Sequence, residues 1–235
     1  MERKCINGNI LKIIAVISMT IDHMGLMLFN DNLVMRCIGR LAFPIFGFMI
    51  AEGCFYTKNK LRYFLRVFIL GMLCQVAYYI ADSSLYLGIL ITFSLSIATI
   101  FAYKSAFEKE HIEVKYVLLF LLALCVDVAL CVVFPIMFKN SGFCVDYGIF
   151  GVLFPVLAYI GRGKKHGIIL MAAGLAMISL THLWYQWFSL AALILIAFYS
   201  GERGRKGGKY FFYIYYPAHL AAIWLISYLM VNYSR

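Results

Sequence analysis

Nine ionisable side chains lie within the apolar stretches of this sequence or at their edges. An ionisable residue inside a membrane helix costs roughly 2.5–3.5 kcal/mol on insertion scales, so each one needs a physical reason. Any single one could be half of a structural ion pair, but nine in one small chain predict a functional cavity. They are Lys12, Asp22, His23, Arg40, Glu52, Arg66, Asp127, Asp146 and His219.

The spacing of Lys12 and His23 predicts that both lie on one face of a helix. Eleven residues make almost three helical turns, so the two side chains would stand about 16 Å apart along the axis. Asp22 is rotated by about 100° from His23, and we expect it to bond a neighbouring helix. An imidazole deep in an apolar helix suits proton transfer, so His23 is the leading candidate.

Two further stretches carry candidate partners for His23. Arg40 and Glu52 stand near opposite ends of IGRLAFPIFGFMIAEGCFY, where we expect Pro44 to kink the helix. His219 lies in KYFFYIYYPAHL, too far inside an apolar helix to belong to an interfacial aromatic belt. We expect that it could face His23 across a central cavity.

A basic segment, TKNKLRYFLR, follows Glu52 in the sequence. Its cations would suit a polyphosphate ligand at the cytoplasmic surface, although a solvated loop that obeys the positive-inside rule is the commoner explanation. These cations are Lys58, Lys60, Arg62 and Arg66.

The composition requires membrane helices to position all of these groups. Hydrophobic residues make up 64% of the 235 residues and charged residues 14%, which excludes an ordinary water-soluble domain. The net charge of +10 indicates orientation in a bilayer and contact with anionic headgroups, and we predict no nucleic-acid partner.

Polar breaks divide the chain into nine apolar stretches, each a candidate transmembrane helix of about 20 residues. Only THLWYQW separates the seventh from the eighth, so that pair could also be one long helix. The stretches run from Ile10 to Phe29, Ile38 to Tyr56, Leu61 to Ala81, Leu85 to Tyr103, Val114 to Phe138, Cys144 to Ile160, Gly167 to Leu183, Trp184 to Ser200 and Tyr210 to Val231.

The basic residues favour one topology. With nine spans and a cytoplasmic N-terminus, most of the 21 Lys and Arg residues fall in inner loops. Merging the seventh and eighth stretches would move the loop GERGRKGGK to the outer side. We therefore predict an all-α, polytopic integral membrane helix bundle of about nine transmembrane helices, with eight as the alternative. It would form a single domain over residues 1–235, a multi-pass protein of the cytoplasmic membrane.

The sequence lacks the motifs of several enzyme classes. The sequence has no HExxH, GxSxG or nucleotide-binding loop, so we predict neither a metal site nor a serine hydrolase. Its seven cysteines lie mostly in apolar runs without CxxC spacing, which is typical of buried free thiols.

Several of these segments, taken in order, resemble the TraX proteins of conjugal transfer. The matching segments are LKIIAVISMTIDHMG, GRLAFPIFGFMIAEGCFYT, KLRYFLR, DYGIFGVL and KYFFYIYYPAHL. That family consists of integral membrane proteins associated with N-terminal acetylation of pilin. The chain is also distantly similar to the membrane acyltransferase superfamily, in which a basic residue, ten residues and a histidine mark the first helix, as do Lys12 and His23 here.

The resemblance implies an acyltransferase of the cell inner membrane that moves an acetyl or other short acyl group from acetyl-CoA or another acyl-CoA. The acceptor would be an amine or hydroxyl on a peptide N-terminus, a glycan or a small molecule. His23 would be the general base, or would carry the acyl group covalently. Arg40 or His219 would stabilise the oxyanion.

The remaining candidates take supporting roles in this hypothesis. Asp22, Glu52 and Asp146 would set tautomers and orientation. Lys12 and the basic segment would bind the phosphates of CoA.

Two other classes of protein stay open. The buried Asp and His residues could form the path of a small proton-coupled or substrate-coupled transporter. Alternatively, the ionisable residues could only lock helices together in a scaffold component of a surface-structure apparatus.

Overall fold

The computed structural model describes residues 5–202, 204 and 209–233, with the side chains of the last helix from 214 to 230. Residues 203 and 205–208 of the loop GERGRKGGK, which helped to predict the topology, lie outside this description. Helices make up about 79% of the described residues, which contain almost no sheet. The chain is therefore mostly helical, as its composition predicts.

Eleven α-helices are formed by the described residues, and other helical turns join some of them. A π-helical turn, Ala129–Val133, connects α6 to α7, and a 3-10 helix, Trp184–Ala191, leads into α10. The α-helices are α1 (Gly8–Met27), α2 (Leu33–Gly39), α3 (Ala42–Tyr56), α4 (Lys60–Asp82), α5 (Ile89–Phe107), α6 (Val114–Val128), α7 (Phe134–Met137), α8 (Gly148–Ile160), α9 (Gly167–Thr181), α10 (Ala192–Ala197) and α11 (Lys209–Tyr233).

Asparagine side chains begin three of these helices. Asn7 accepts hydrogen bonds from the backbone N–H groups of Asn9 and Ile10 at the start of α1. Asn32 and Asn59 do the same at the starts of α2 and α4. Each cap gives a partner to N–H groups that the first helical turn cannot satisfy.

The predicted stretch from Ile38 to Tyr56 is divided by a turn. The helix α2 ends at Gly39, and α3 begins only at Ala42. Pro44 is the third residue of α3, where a backbone N–H would have no partner within the helix, so proline fits without bending it. The predicted kink at Pro44 is therefore wrong, and the interruption lies at Arg40 and Leu41 instead.

Two short strands form where the sequence predicts the first residues of two apolar helices. The strands β1 (Tyr86–Leu87) and β2 (Cys144–Val145) pair in parallel, and Tyr86 also donates its phenolic hydrogen to Oδ1 of Asp146 at 2.5 Å. Burial and the neighbouring carboxylate raise the pKa of the Tyr86 phenol. This pairing holds the segment before α5 against the segment before α8.

Among the described residues, five helical segments are long and apolar enough to cross a membrane, and two of them combine consecutive helices, so the chain is a multi-pass membrane protein. Within the described residues, four further apolar helices are shorter, and the count of nine spans with an inner N-terminus stays a prediction. The five long spans are Gly8–Met27, Leu33–Tyr56, Lys60–Asp82, Ile89–Phe107 and Val114–Met137.

The chain forms two compact units. The first consists of the described residues of Met1–Met49 and Leu175–Arg235, and the second is Ile50–Gly174. In the first unit, α1 packs against α2 and α11, and the 3-10 helix Trp184–Ala191 packs against α2. The prediction of one domain over residues 1–235 stays a prediction.

In the second unit, α5 is central and packs against α4, α6 and α8. Its small polar residues are buried and bond the neighbouring helices. Ser96 donates to the carbonyl of Val152 on α8 at 2.8 Å, and Thr99 donates to Oδ2 of Asp127 on α6 at 2.6 Å. Free thiols are carried by Cys37, Cys54, Cys74, Cys125, Cys131 and Cys144.

Candidate functional site

A cluster of one carboxylate and two guanidinium groups joins α1 to α2 in the first unit. Nη2 of Arg40 donates to Oδ1 and Oδ2 of Asp22 at 2.6 and 2.7 Å, and Nη1 of Arg36 donates to Oδ2 at 2.9 Å. Arg36 and Arg40 are four residues apart, which brings both to the same side. Asp22 therefore bonds a neighbouring helix, as its rotation from His23 predicts.

Glycine permits the close approach that this cluster requires. A Cβ at Gly39 of α2 would overlap the carboxylate of Asp22. A Cβ at Gly25 of α1 would lie 2.7 Å from the Cβ of Met35. Any larger residue at Gly39 would displace the carboxylate of Asp22. The cluster therefore requires glycine at this position.

The 3-10 helix Trp184–Ala191 contributes two side chains that contact the arginines of this cluster. Its Tyr185 ring lies under the guanidinium groups of Arg36 and Arg40, whose central carbons are 5.9 and 5.5 Å from the ring centre. Nη1 of Arg40 donates to Oε1 of Gln186 at 3.1 Å. Arg40 is 8% exposed and Gln186 only 1%, so Arg40 links Asp22 to Gln186 inside the protein.

A histidine pair joins α1 to α11. Nδ1 of His23 lies 3.0 Å from Nε2 of His219, and the two ring centres are 5.1 Å apart. The structure therefore brings together two histidines that are 196 positions apart in the sequence. His23 and His219 therefore face each other, as predicted, and a direct hydrogen bond joins them.

The contacts of His219 determine where the protons of the neutral pair sit. Nδ1 of His219 lies 2.9 Å from the backbone carbonyl of Tyr215, and a carbonyl only accepts, so this nitrogen carries the hydrogen. Nε2 of neutral His219 then accepts, and Nδ1 of His23 donates to it. The lone pair of His23 is left on Nε2, which is the atom able to take a proton.

Tyr215 orients the pair. Its ring is stacked on that of His219 at 5.2 Å with an interplanar angle of 9°. Its hydroxyl lies 2.7 Å from Oγ1 of Thr20, which itself donates to the carbonyl of Val16 at 2.8 Å. Tyr215 therefore donates to Thr20. Two hydrogen bonds about one helical turn apart hold α11 against α1, which gives the base an orienting partner.

Glu52 lies in the second unit and pairs with a cation. Nε of Arg162 donates to Oε1 of Glu52 at 2.5 Å, and Nη2 donates to the hydroxyl of Tyr56 at 2.8 Å. The guanidinium carbon is 3.5 Å from the ring centre of Phe55, and Glu52 is 4% exposed. The catalytic role predicted for Glu52 stays a prediction.

The predicted CoA-binding cations are divided between the units. Lys12 is half-buried on α1 in the first unit, on the same helix as His23, as its spacing predicts. The basic segment belongs to the second unit, where Nζ of Lys60 lies 3.4 Å from Oγ of Ser105. Three of its cations are exposed and Arg66 is half-buried. Binding of CoA phosphates by these residues stays a prediction.

The other two candidate carboxylates are in the second unit. Asp127 is 2% exposed and bonded to Thr99, and Asp146 is bonded to Tyr86. The orienting role predicted for Asp146 stays a prediction. Within the described part of the chain, no three His, Cys, Asp or Glu side chains are grouped as metal ligands would be.

Sequence reasoning missed Arg36, Gln186 and Tyr215 of the first unit and Arg162 of the second unit. Arg36 and Arg162 lie between the predicted apolar stretches, although the four-residue spacing of Arg36 from Arg40 is a usable signal. Gln186 and Tyr215 were hidden in aromatic segments, because an isolated polar residue beside tryptophans or tyrosines is typical of a membrane interface.

Comparison with known proteins gives two relatives. An uncharacterized protein of Rickettsia prowazekii (strain Madrid E) is 29% identical over 181 residues, which cover 74% of this chain and 63% of that protein. The "Probable fimbrial assembly protein FimC, serogroup H1" of Dichelobacter nodosus is 35% identical over 72 residues, 29% of this chain and 30% of that protein. The chain thus spans less than two thirds of the length of either relative.

No solved structure matches the chain. The family model described as TraX protein matches residues 7–227, which include every residue of the Asp22 cluster and of the histidine pair. The match confirms the resemblance predicted from the separated motifs. This chain is a member of the TraX family.

Proposed function

We propose that this protein is a membrane-embedded acyltransferase that moves an acetyl or other short acyl group from acyl-CoA to an acceptor amine or hydroxyl. The observation that carries the proposal is the hydrogen bond between His23 and His219, which orients a basic Nε2 inside the apolar first unit. Membership of the TraX family, which is associated with pilin acetylation, supports the same chemistry.

The chemistry assigned to His23 is general-base catalysis. The acceptor nitrogen or oxygen attacks the carbonyl carbon of the thioester while Nε2 of His23 takes its proton. The carbon–sulfur bond then breaks, and sulfur leaves with the electron pair as a thiolate. That thiolate takes the proton back from His23, so the products are an amide or ester and the free thiol of CoA.

The neighbours of His23 are arranged for this cycle. When Nε2 gains the proton, Nδ1 can keep its hydrogen bond to His219, because Nε2 of His219 still accepts. The carbonyl of Tyr215 fixes the tautomer of His219 throughout. Within the described part of the chain, Asp22 is not bonded to the histidine pair and instead accepts hydrogen bonds from Arg36 and Arg40.

A role in pilus or fimbrial assembly is the wider setting of this proposal. The family is associated with pilin processing in conjugal transfer, and one relative is named as a fimbrial assembly protein. A pilin N-terminus is then one acceptor among those considered, with glycans and small molecules as the others. Acetyl-CoA is the proposed donor, and Lys12 with the basic segment would bind its phosphates.

The test is the transfer of labelled acetyl from acetyl-CoA to a peptide with a free α-amino group, using the full chain in proteoliposomes. His23→Ala should lower the rate by roughly 100-fold or more, the usual contribution of a positioned base. His166→Ala is the matched control, because His166 is exposed in the loop before α9. It should transfer at the wild-type rate.

Three results would contradict the proposal. Wild-type transfer by a folded His23→Ala protein would overturn the assigned base. Proton-coupled uptake into proteoliposomes without binding of acetyl-CoA would favour the transporter, which the same buried histidines could serve. If His23→Ala and Lys12→Ala only lowered thermal stability, the scaffold alternative would stand.

A further inference from the structure

The buried amide of Gln186 has an unused donor. Arginine only donates hydrogen bonds, so the oxygen Oε1 must face Nη1 of Arg40, and the nitrogen Nε2 must point away from it. Nε2 is buried and has no hydrogen-bond partner among the residues that the structure describes. An unsatisfied buried donor costs about 1–3 kcal/mol, which indicates a use for this one.

Ser189 presents a second unused polar group. It is fully buried, and its hydroxyl likewise has no partner within the described part of the chain. Four other helical serines donate to the carbonyl four residues earlier, a common solution for a buried hydroxyl. Ser94, Ser96, Ser105 and Ser179 all do so.

The 3-10 helix aligns these two groups. Gln186 and Ser189 are three residues apart in the segment Trp184–Ala191. Because a 3-10 helix has three residues per turn, side chains at this spacing lie one above the other on the same face. Two unsatisfied buried side chains therefore share one face of this helix, and the amide of Gln186 is bonded through its oxygen to the guanidinium group of Arg40.

We propose that Nε2 of Gln186 and the hydroxyl of Ser189 bind the carbonyl oxygen of the acyl group that is transferred. This assignment rests on the proposed acyltransferase function and deepens it, because it adds two residues that touch the substrate. The ligand group is an acyl carbonyl, which takes hydrogen bonds on one oxygen from two neutral donors.

The charges around Gln186 favour an oxygen that becomes negative during the reaction. Arg36 and Arg40 are already paired with Asp22, and Arg36 also with Asp31, so little positive charge is left for a permanent anion such as phosphate. The hydrogen bond from Arg40 to Oε1 polarises the Gln186 amide and strengthens Nε2 as a donor. Such prearranged donors act chiefly on the transition state.

The step itself is balanced within the proposed reaction. As the acceptor atom bonds to the carbonyl carbon, the π electron pair of the carbonyl moves onto its oxygen, which Gln186 and Ser189 hold. The pair returns to re-form the carbonyl as the carbon–sulfur bond breaks. His23 takes and returns the proton, and Arg40 acts only as a positioning residue through Gln186.

Two substitutions test the assignment in the acetyl-transfer assay. Gln186→Glu keeps an oxygen for Arg40 but replaces the donor with a charged oxygen, so kcat should fall roughly 100-fold while KM for acetyl-CoA changes little. Ser189→Ala should lower kcat by about tenfold. Ser179→Ala is the matched control, since Ser179 is equally buried but bonded within its own helix, and it should leave kcat unchanged.

Thermal unfolding separates a ligand site from a structural role. Ser189→Ala removes an unpartnered hydroxyl, so its unfolding temperature should equal or exceed that of the wild type even as kcat falls. If Ser189→Ala lowered stability and left kcat unchanged, the hydroxyl would serve only the fold, and the assignment would be wrong.

The failure of this assignment differs from the failure of the proposed function. If the wild type transfers acetyl and both variants transfer it equally fast, only the roles of Gln186 and Ser189 are overturned. If the wild type neither binds acetyl-CoA nor transfers acetyl, the acyltransferase proposal falls and takes this assignment with it.

Discussion

At the scale of single residues, proton placement distinguishes this site from a set of buried ion pairs. Among the residues that the structure describes, His23 is not bonded to the adjacent carboxylate of Asp22, which accepts hydrogen bonds from two arginines instead. Its partner is a neutral histidine whose tautomer is set by a carbonyl. The result is an uncharged pair with one basic nitrogen, and that is the form a general base needs before the reaction.

Removal of the Asp22 charge should destabilise the protein. In Asp22→Asn, the guanidinium groups of Arg36 and Arg40 lose the carboxylate that compensates them. The free energy of unfolding should fall by about 3 kcal/mol, as is usual when one partner of a buried ion pair is removed. Tryptophan fluorescence during denaturation in detergent measures this change.

The control for that prediction is Asp31→Asn. Asp31 also pairs with Arg36, at 3.0 Å, but its side chain is 58% exposed. Exposed pairs contribute less than about 1 kcal/mol, so this variant should unfold almost like the wild type. Equal losses in the two variants would show that the Asp22 cluster does not hold α1 against α2.

At the scale of elements, the polar side chains of α1 contact two neighbouring helices, α11 and α2. Thr20 and His23 contact α11, and Asp22 contacts Arg36 of α2 and Arg40 just beyond its end. The rotation of about 100° between successive residues separates these two functions on one helix. The distance between α1 and α2 therefore determines the geometry of the cluster that Asp22 forms with Arg36 and Arg40.

A side chain at Gly39 should disrupt that spacing. In Gly39→Ala, the new Cβ would overlap the carboxylate of Asp22, so the two helices must separate or the carboxylate must move. Overpacking of this kind costs about 1–3 kcal/mol, and we expect a lower unfolding temperature together with slower acetyl transfer.

Gly174→Ala is the matched substitution for Gly39→Ala. Its Cβ would lie 3.1 Å from Cδ1 of Leu157 and 3.4 Å from Cδ2 of Phe154, so a shift of a few tenths of an ångström is enough to accommodate it. The higher helix propensity of alanine offsets part of this cost. A loss at Gly174 as large as that at Gly39 would refute the importance of the close approach to Asp22.

At the scale of the whole molecule, the nine-span topology depends on whether the short helix α8 crosses the bilayer. The helix α8 has 13 residues, about 20 Å of helix, whereas the hydrocarbon core is about 30 Å thick. The nine-span topology nevertheless requires the chain to change sides between the loops at Ser141 and Lys164. Both residues are exposed.

Cysteine labelling tests this crossing. In a background without native cysteines, Ser141→Cys should react with a membrane-impermeant maleimide in intact cells. Lys164→Cys should react only after permeabilisation, because the basic loop is predicted to be cytoplasmic. Labelling of both positions from the same side would show that α8 does not cross, and the nine-span topology would be wrong.

The sequence by itself determined the membrane class, the helical content, the family and the leading histidine. Apolar runs and the penalty for buried charge depend only on residue types and their order, so they can be derived without coordinates. The rotation of Asp22 from His23 is likewise a property of one helix.

Only the tertiary structure decided the partners. Arg162 for Glu52, Arg36 for Asp22 and Gln186 for Arg40 are all contacts between segments that helical periodicity does not relate. The turn at Arg40 and the 3-10 helix at Gln186 were also missed. Their geometry depends on which helix packs alongside, and local propensity carries no information about that.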